Sequence, residues 1–185
     1  MLKNKAEHVD GGRPVILVDM DATLCLNTSG RPFYGENSGM LEDTPVEEIC
    51  RLVRQMGEHC LVFIVTGREG TTEVVDATKE WLKKNEIPSD AMFFRPVGDY
   101  SPDCKRRIYE ENIKGKYNVQ FVLDDSSKCG ENKDLYVYNL TKESSNMKLL
   151  QRLKNLFLPE GEISDGFHSF DELYHYRMLQ HSLTV

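Results

Sequence analysis

The stretch Val15-Ile16-Leu17-Val18-Asp19-Met20-Asp21 places two carboxylates directly after four consecutive apolar residues. Two further apolar runs have the same arrangement, with 61–65 preceding Thr66-Gly67-Arg68 and 119–123 preceding Asp124-Asp125. Continuous runs of this length, rich in β-branched residues, are typical of strands buried on both faces of a parallel sheet. Each run therefore predicts a buried strand that ends in polar residues.

Helical patterns lie between these runs. Apolar residues recur at helical spacing over 45–56 and 71–85, and a third pattern covers 104–114. Strands that alternate with helices predict an α/β fold with a doubly wound, mostly parallel sheet. Weaker patterns predict two more strands and two more helices, at 91–94, 135–139, 143–156 and 167–183.

Three parts are expected along the chain. Residues 1–13 are polar and lack any period, so they are predicted to form a flexible leader. The catalytic core is expected over 14–158. Residues 159–185 are expected to form a helical segment packed on that core, after a turn at Pro159-Glu160-Gly161-Glu162.

Composition narrows the class of protein. The chain has 185 residues, 39% hydrophobic and 29% charged, which suits a single folded domain. A net charge of -7 argues against coating nucleic acid through a broad basic face. No apolar run approaches the roughly 20 residues needed to span a membrane. The five cysteines form no CxxC pair, which indicates reduced thiols and a cytoplasmic location.

The first polar motif, Asp19-Met20-Asp21, has the spacing of a nucleophile and its proton donor. An aspartate nucleophile that attacks phosphorus forms an aspartyl-phosphate. A second carboxylate two residues later can protonate the leaving oxygen and then deprotonate the attacking water. Acidic turns after strands are common, however, so the motif alone is also compatible with a surface turn.

The second motif, Thr66-Gly67-Arg68, suits an anion pocket. A hydroxyl and backbone N–H groups lie between a strand and the helix predicted near Thr71, whose N-terminus favours negative charge. Arg68 can fork two phosphate oxygens. The alternative is a simple helix cap followed by a turn glycine.

The third motif, Asp124-Asp125, offers oxygen ligands suited to Mg²⁺, and either carboxylate is a candidate direct ligand. The alternative is an acidic turn capped by Ser126. A basic segment, Asp103-Cys104-Lys105-Arg106-Arg107, opens the preceding predicted helix, where one cation would neutralise a bound phosphate. Such a charge run is also typical of a solvated helix face. Because the carboxyl ends of parallel strands share one edge, all these motifs are expected to converge there.

Taken together, the motifs resemble those of the haloacid dehalogenase (HAD) superfamily of phosphatases. The resemblance spans roughly 14–139 and rests on DMDATL, VTGRE and a basic residue before LDD. A narrower resemblance, to the 3′-phosphatase domain of phage-type polynucleotide kinase/phosphatases, rests on the GR-x-x-Y pattern within 28–34, TSGRPFY. The segments TGREGT, DATKEWL and GDYSPD continue it.

The resemblance implies a role for each matching residue. It makes Asp19 the nucleophile and Asp21 the acid/base, with Mg²⁺ held by the Asp19 carboxylate and the Asp21 carbonyl. The remaining implied roles are the metal ligands Asp124 and Asp125 and the phosphate- or substrate-binding residues Thr66, Gly67, Arg68, Arg31, Asp103 and either Lys105 or Arg107.

Two sequence features qualify the resemblance. Ala22 stands where the superfamily usually has glycine, and alanine is tolerated there unless the backbone needs a positive φ. No GxxxxGK[ST] motif occurs, so the chain is not expected to have kinase activity. A separate kinase or ligase is expected as a partner.

The short intervals between motifs leave too few residues for a large cap domain, so only a small flap over 26–41 is expected. Phe33 and Tyr34 in that flap are candidates for stacking on a base, although packing is the commoner role of aromatic residues. An open site favours a phosphate at the end of a polymer or on a protein over a small metabolite. Together with the resemblance, it predicts a Mg²⁺-dependent phosphomonoesterase acting on 3′-phosphates of nucleic-acid ends. The alternatives are a nucleotidase or small-molecule phosphatase, and a catalytically silent phosphate-binding module.

Overall fold

The structure, a computed structural model, describes residues 12–31 and 39–125, and the backbone of 137–139. Several predictions therefore lie outside the described residues, namely most of the leader, Phe33 and Tyr34 of the flap, and everything predicted after residue 139. Within the described ranges, no helix combines the length and apolarity required to cross a bilayer.

Strands and helices alternate over most of the described chain. The strands are β1 (Pro14–Val18), β2 (Cys25–Leu26), β3 (Thr44–Pro45), β4 (Leu61–Glu69), β5 (Ala91–Arg95), β6 (Asn118–Asp124) and β7 (Val137–Asn139). The α-helices are α1 (Glu47–Gly57), α2 (Thr72–Lys84) and α3 (Cys104–Ile108). A 3-10 turn covers Met40–Glu42, and α3 continues into a π-helical turn at Tyr109–Ile113.

The central sheet has the order β5-β4-β1-β6-β7, and all of its strand pairs are parallel. The chain runs outward from β1 through β4 to β5 and then returns to β6 on the other side of β1. The predicted α/β fold with a mostly parallel sheet is thus confirmed. The order reverses between β1 and β6, and open α/β sheets bind their ligands beyond the carboxyl ends of the strands at such a point.

The sheet is buried on both faces, as its apolar strands predict. Every residue from Val15 to Val18 is at most 3% exposed. On one face, Phe63 stacks edge-on against Tyr117, with ring centroids 4.8 Å apart. Ile108, Tyr109 and Ile113 join the same apolar cluster, which fixes α3 and the π-helical turn to the sheet. That packing determines where the side chains of α3 point.

Strand β4 is longer than the apolar run 61–65 that predicts it. It continues through the second motif to Glu69, and its register with β5 shifts between Thr66 and Glu69. Such a bulge turns side chains away from the regular alternation of a strand. The bulge is tied to β5, because the Arg95 carbonyl accepts the Gly70 N–H at 2.8 Å and Arg95 Nε donates to the Gly67 carbonyl at 2.9 Å.

On either side of β4, the residues that the structure describes form no cap domain. Between β4 and β6, a segment described in full, the chain forms only α2, β5, α3 and the π-helical turn. Before β4, β2 pairs antiparallel with β3 and forms the base of a small flap. The flap's segment 32–38 lies outside the described residues.

The tight turn after β1 holds Ala22 in the left-handed region, at φ 61°. The turn forms because the Leu24 and Cys25 N–H groups both donate to the Met20 carbonyl, at 2.9 and 3.0 Å, while the Ala22 N–H donates to the Cys25 carbonyl at 2.8 Å. This backbone conformation is the one that favours glycine, so the departure at Ala22 carries conformational strain.

Replacing Ala22 by glycine is expected to raise the free energy of unfolding by about 1 kcal/mol, because glycine lacks the Cβ that clashes at positive φ. Glu86→Gly is the positive control, because Glu86 also has a positive φ, 55°, and lies beyond the end of α2 and outside every motif. It should raise the free energy of unfolding for the same reason. Urea unfolding followed by circular dichroism measures both variants. A lower unfolding free energy for Ala22→Gly alone contradicts the expected strain.

Candidate active site

The carboxyl ends of β1 and β6 bring together one ammonium group and three carboxylates. Lys105 Nζ lies 2.8 Å from Asp19 Oδ1 and 2.9 Å from Asp124 Oδ2. Asp19 and Asp124 are 4% and 1% exposed. One carboxylate oxygen each from Asp19, Asp124 and Asp125 lies within 4.8 Å of the others. We call Asp19, Lys105, Asp124 and Asp125 the lysine cluster.

Backbone contacts hold the two strand ends of this cluster in register. The Asp19 N–H donates to the Leu123 carbonyl at 2.9 Å, which continues the pairing of β1 with β6. The Asp125 N–H donates to Thr23 Oγ1 at 3.1 Å, which joins the third motif to the first. The nucleophile candidate and the acidic pair are therefore fixed relative to each other by the sheet.

The lysine cluster carries more negative charge than its ammonium group offsets. Burial raises the pKa of Asp19 to about 7, with the Asp124 carboxylate adding to the rise and the Lys105 ammonium opposing it. Burial alone would lower the pKa of Lys105, but Asp19 and Asp124 hold it above its ordinary value. Burial, followed by the charge of Asp124, raises the pKa of Asp125.

The donor set of the lysine cluster fits a divalent cation. Three carboxylates and one ammonium leave a formal charge of about -2, which a divalent ion offsets. All the candidate donors are carboxylate oxygens, which suit Mg²⁺, a hard cation. Asp124 and Asp125 are both near enough to contribute, so both remain candidate direct ligands.

Asp21 faces a different set of cations, provided by two arginines. Arg68 forks its carboxylate, with Nε 2.9 Å from Oδ2 and Nη2 2.8 Å from Oδ1. Arg31 Nη2 donates to the same Oδ1 at 3.0 Å. Met20, between Asp19 and Asp21, is fully buried. The two carboxylates of the first motif thus meet different cations.

Asp43 completes this second group. Its Oδ1 accepts from Arg31 Nε at 3.0 Å and its Oδ2 accepts from Arg68 Nη2 at 2.9 Å. Its side chain is fully buried, and its carbonyl accepts the indole N–H of Trp81 at 2.8 Å. We call Asp21, Arg31, Asp43 and Arg68 the arginine cluster.

The arginine cluster is formally neutral and holds Asp21 ionised. Burial alone would raise the pKa of Asp21, but the hydrogen bonds and charges of Arg68 and Arg31 outweigh burial and lower it. Cys25 lies beside the cluster with its Sγ 3.3 Å from Arg68 Nη2, and burial raises the pKa of that thiol. Because guanidinium groups already neutralise its carboxylates, this cluster does not fit a metal ion.

The second motif contributes Arg68 to the arginine cluster, and protein groups hold the guanidinium of Arg68 in place. Besides its two carboxylate partners, it donates from Nη1 to Thr78 Oγ1 at 3.1 Å. The fork that the sequence assigns to phosphate is made with Asp21. Thr66 is fully buried, and its Oγ1 accepts the Arg68 N–H at 3.1 Å. Gly67 is partly exposed at the bulge.

The basic segment contributes Lys105 to the site, and Arg107 lies elsewhere. Arg107 is about half exposed and pairs with Asp99. Two residues apart on a helix are separated by about 200°, so Lys105 and Arg107 cannot point to the same site. Asp103 is also exposed and pairs with Arg106 at 2.9 Å. The structure therefore separates Asp103 and Arg107 from both clusters.

Asp43 is the site residue that sequence reasoning missed. It stands in no strand-end motif, and no neighbouring residue distinguishes it from other acidic residues of the flap. The sequence carried no signal for it, because the burial of Arg31 and Arg68, which makes a second carboxylate necessary, is seen only in the structure. Only the folded chain shows which acidic residue supplies the second carboxylate.

A parallel α/β sheet with Asp19 and Asp21 beyond its central strand, a lysine and an acidic pair has the arrangement of an aspartate-nucleophile phosphatase. Residues 13–132 match the family model described as the polynucleotide kinase PNKP phosphatase domain. The chain belongs to this HAD-type phosphatase family.

A viral protein of known name is similar to part of the chain. A protein of Autographa californica nuclear polyhedrosis virus, named putative bifunctional polynucleotide kinase/RNA ligase, is 30% identical over 115 residues, which are 60% of this chain and 16% of that protein. The chain thus spans about a sixth of that relative's length.

Two solved structures share the fold. One is titled "Structure of Pnkp1/Rnl/Hen1 complex", with a TM-score of 0.61 and 24% identity over 75% of this chain and 50% of that one. The other is titled "Structure of the Pnkp1/Rnl/Hen1 RNA repair complex", with a TM-score of 0.61 and 23% identity over 75% of this chain and 47% of that one.

Replacing Asp43 by asparagine is expected to lower the free energy of unfolding by about 3 kcal/mol, because two buried guanidinium groups lose a charged acceptor. Phosphatase activity should fall with it, since the partners that hold Asp21 are released. The control is Asp76→Asn on α2, whose carboxylate is 68% exposed and lies 3.9 Å from Lys79. Equal unfolding free energies for the two variants in urea would count against the arginine cluster as described.

Lys105→Met is expected to reduce turnover of a small aryl phosphate by about a hundredfold, the scale observed when one charge-stabilising donor is removed. Arg107→Met, the matched substitution two residues later in α3, should change this turnover only slightly. Steady-state kinetics at saturating Mg²⁺, with unfolding midpoints to confirm folding, measures both. The reverse ranking would transfer the cationic role to Arg107.

Proposed function

We propose that the chain is a Mg²⁺-dependent phosphatase that removes 3′-phosphates from nucleic-acid ends through an aspartyl-phosphate on Asp19. The observation that carries the proposal is the pairing of a buried, cation-contacted Asp19 with Asp21, two residues later and held by its own cations. A binding module has no need for a second carboxylate in that place, so this arrangement favours catalysis over a silent phosphate-binding role.

The proposed reaction proceeds in two displacements. An Asp19 carboxylate oxygen forms a bond to phosphorus as the bond to the leaving 3′-oxygen breaks. The incoming phosphate competes for the arginines that keep Asp21 ionised, so Asp21 takes up a proton from solvent when substrate binds and passes it to this oxygen. Water then attacks phosphorus, Asp21 takes a proton from it, and the bond to Asp19 breaks. The products are a 3′-hydroxyl end and inorganic phosphate.

Mg²⁺ would be held by the carboxylates of Asp19 and Asp124 or Asp125 and by the Asp21 carbonyl, and when bound it offsets phosphoryl charge. Lys105 holds Asp19 and Asp124 in place and adds a positive charge beside the reacting phosphorus. The Thr66 hydroxyl and the Gly67 N–H at the bulge would bind phosphoryl oxygens. Thr66 Oγ1 already accepts one hydrogen bond, so its own proton is available for donation.

Arg31 and Arg68 are proposed to act first on Asp21. Both donate to its carboxylate, so they orient the group that exchanges protons with the substrate. A phosphate that arrives beside Asp21 is a second acceptor for the same guanidinium groups. Arg31 also lies in the base of the flap, where contact with the substrate strand is expected from the resemblance.

Three observations support a nucleic-acid end as substrate. The family is that of the polynucleotide kinase phosphatase domain. The segment between β4 and β6 builds no cap, so a polymer end can enter. The preference for the 3′ position rests on the resemblance of 28–34 to the phage-type enzymes.

A kinase or ligase is proposed as partner, because the viral relative is named as a kinase and ligase in one chain. The cytoplasm is proposed as the location, since the four described cysteines, Cys25, Cys50, Cys60 and Cys104, are free thiols. A nucleotidase or small-molecule phosphatase remains the alternative function that the first experiment distinguishes.

The first experiment measures phosphate release from a 3′-phosphorylated oligonucleotide, its 5′-phosphorylated isomer, a 3′-mononucleotide and an aryl phosphate. We expect preference for the 3′-phosphorylated strand, loss of release in EDTA and recovery with Mg²⁺. Asp19→Asn should abolish all release, whereas Asp76→Asn should not. Equal rates of phosphate release from the mononucleotide and the strand favour the nucleotidase. Retained turnover by Asp19→Asn would show that Asp19 is not the nucleophile.

Asp21→Asn is expected to slow release from the oligonucleotide by about a thousandfold, within the range observed for general acid catalysis. The loss on an aryl phosphate should be smaller, because a phenolate leaves without needing a proton. Rates of the first turnover on both substrates give the comparison. Equal losses on the two substrates would contradict the assignment of Asp21 as the acid.

A further inference from the structure

The described residues leave three large hydrophobic side chains exposed, and all three follow strands at the carboxyl edge of the sheet. Leu26, in β2 after β1, is 46% exposed. Val97 and Tyr100, in the loop after β5, are 67% and 76% exposed. Isolated surface apolar residues need no explanation, but among the described residues these three all lie at one edge of the sheet. This edge is the one that holds the proposed phosphatase site.

Tyr100 rests on a guanidinium that is held by the second motif. Arg95 Cζ lies 5.3 Å from the centroid of the Tyr100 ring. Arg95 itself is 4% exposed and donates from Nε to the Gly67 carbonyl at 2.9 Å. Its Nη1 also lies 3.6 Å from Glu69 Oε1. The ring therefore has a fixed cation beneath it and most of its remaining surface in solvent.

The loop that carries the ring is rigid through its own hydrogen bonds. The Asp99 N–H donates to the Pro96 carbonyl at 3.0 Å, and the Ser101 N–H donates to Asp99 Oδ1 at 2.8 Å. The Gly98 N–H donates to Glu69 Oε1 at 2.7 Å, which ties the loop to the end of β4. A surface ordered before binding loses little entropy when a ligand arrives.

The position of this loop suits the base of a substrate whose phosphate lies at Asp19. Strand β5 is two positions from β1 in the sheet, and neighbouring strands are about 4.8 Å apart, so the two are roughly 10 Å apart. One hydrogen bond connects Arg95 to Gly67 of the proposed phosphate pocket. A nucleotide or two of single strand covers such a span.

We propose that Tyr100, supported by Arg95, is a stacking platform for a nucleobase within two nucleotides of the terminal phosphate. This site rests on the proposed function and deepens it, because it gives the enzyme a reason to prefer a strand over a small phosphomonoester. Stacking uses the face of the base, so the platform accepts every base and imposes little sequence preference. Val97 adds apolar contact beside the ring.

A packing role does not account for Tyr100. Arg95 has carbonyl and carboxylate partners of its own, so its charge does not need the ring. A side chain placed for packing would bury most of its surface, whereas this one leaves 76% exposed. An aromatic ring with a polar tip and a cation beneath it is typical of single-strand binding surfaces.

The test compares Tyr100→Ala with Tyr100→Phe, which keeps the ring. The substrates are a 3′-phosphorylated oligonucleotide, the same strand with abasic sites at its last two nucleotides, and glycerol 2-phosphate. Tyr100→Ala should raise the KM for the normal strand by about tenfold with little change in kcat, because a stacked base is lost. On the abasic strand and on glycerol 2-phosphate, both variants should have the KM and kcat of wild type. Tyr100→Phe should also match wild type on the normal strand.

A spectroscopic measurement tests the contact itself in the Asp19→Asn background, which binds without turnover. Oligonucleotides carrying 2-aminopurine at the last or the second-last position report stacking by quenching of their fluorescence. Quenching at one of the two positions, lost with Tyr100→Ala and retained with Tyr100→Phe, is expected.

Three outcomes overturn the platform. An unchanged KM for the normal strand in Tyr100→Ala, together with unchanged quenching, would show that Tyr100 does not contact a base. An equal loss on glycerol 2-phosphate assigns Tyr100 a structural role. Equal effects on the normal and abasic strands point to a contact with the backbone or a protein partner. Wild-type enzyme that hydrolyses glycerol 2-phosphate but neither strand instead refutes the proposed nucleic-acid substrate, so the two failures are distinguishable.

Discussion

The structure depends on the neutralisation of two carboxylates, one buried and one partly buried, placed two residues apart at the end of one strand. Asp19 and Asp21 leave the central strand into a largely buried turn, where an unpaired carboxylate is costly. The fold meets this constraint by bringing cations from distant segments, with Lys105 from α3 at Asp19 and arginines at Asp21. The sheet order, the bulge in β4 and the base of the flap all contribute to these contacts.

The two clusters differ in how completely they are neutralised, and the difference separates their proposed roles. The arginine cluster is balanced within the protein, so Asp21 is held in one position as an ionised carboxylate. The lysine cluster has a negative excess, and burial with the nearby Asp124 raises the pKa of Asp19. A site with unbalanced charge attracts a cation, whereas a balanced one orients its own side chains. One turn of chain thus presents two carboxylates whose surroundings suit the separate proposed roles of metal binding and proton transfer.

The sequence alone predicted the buried strands, the parallel sheet and the edge at which the motifs meet. These follow from local properties, since apolar runs and helical periods are visible without knowing the fold. It did not reveal Asp43, because the two buried arginines that share it come from separate segments, one beside the flap base and one in β4. Nor did it predict that Arg68 forks Asp21, because the partner of a guanidinium depends on distances between segments far apart in the chain.

The order of the motifs, with their resemblance to those of HAD phosphatases, was enough for the sequence by itself to indicate the class of chemistry. Only the tertiary structure showed that Lys105 contacts Asp19 and that Arg107 contacts Asp99, since helix α3 points the two side chains in different directions. It also decided that Ala22 occupies a left-handed turn. The physical reason is the same in each case: side-chain direction and backbone strain are set by packing, which local sequence does not encode.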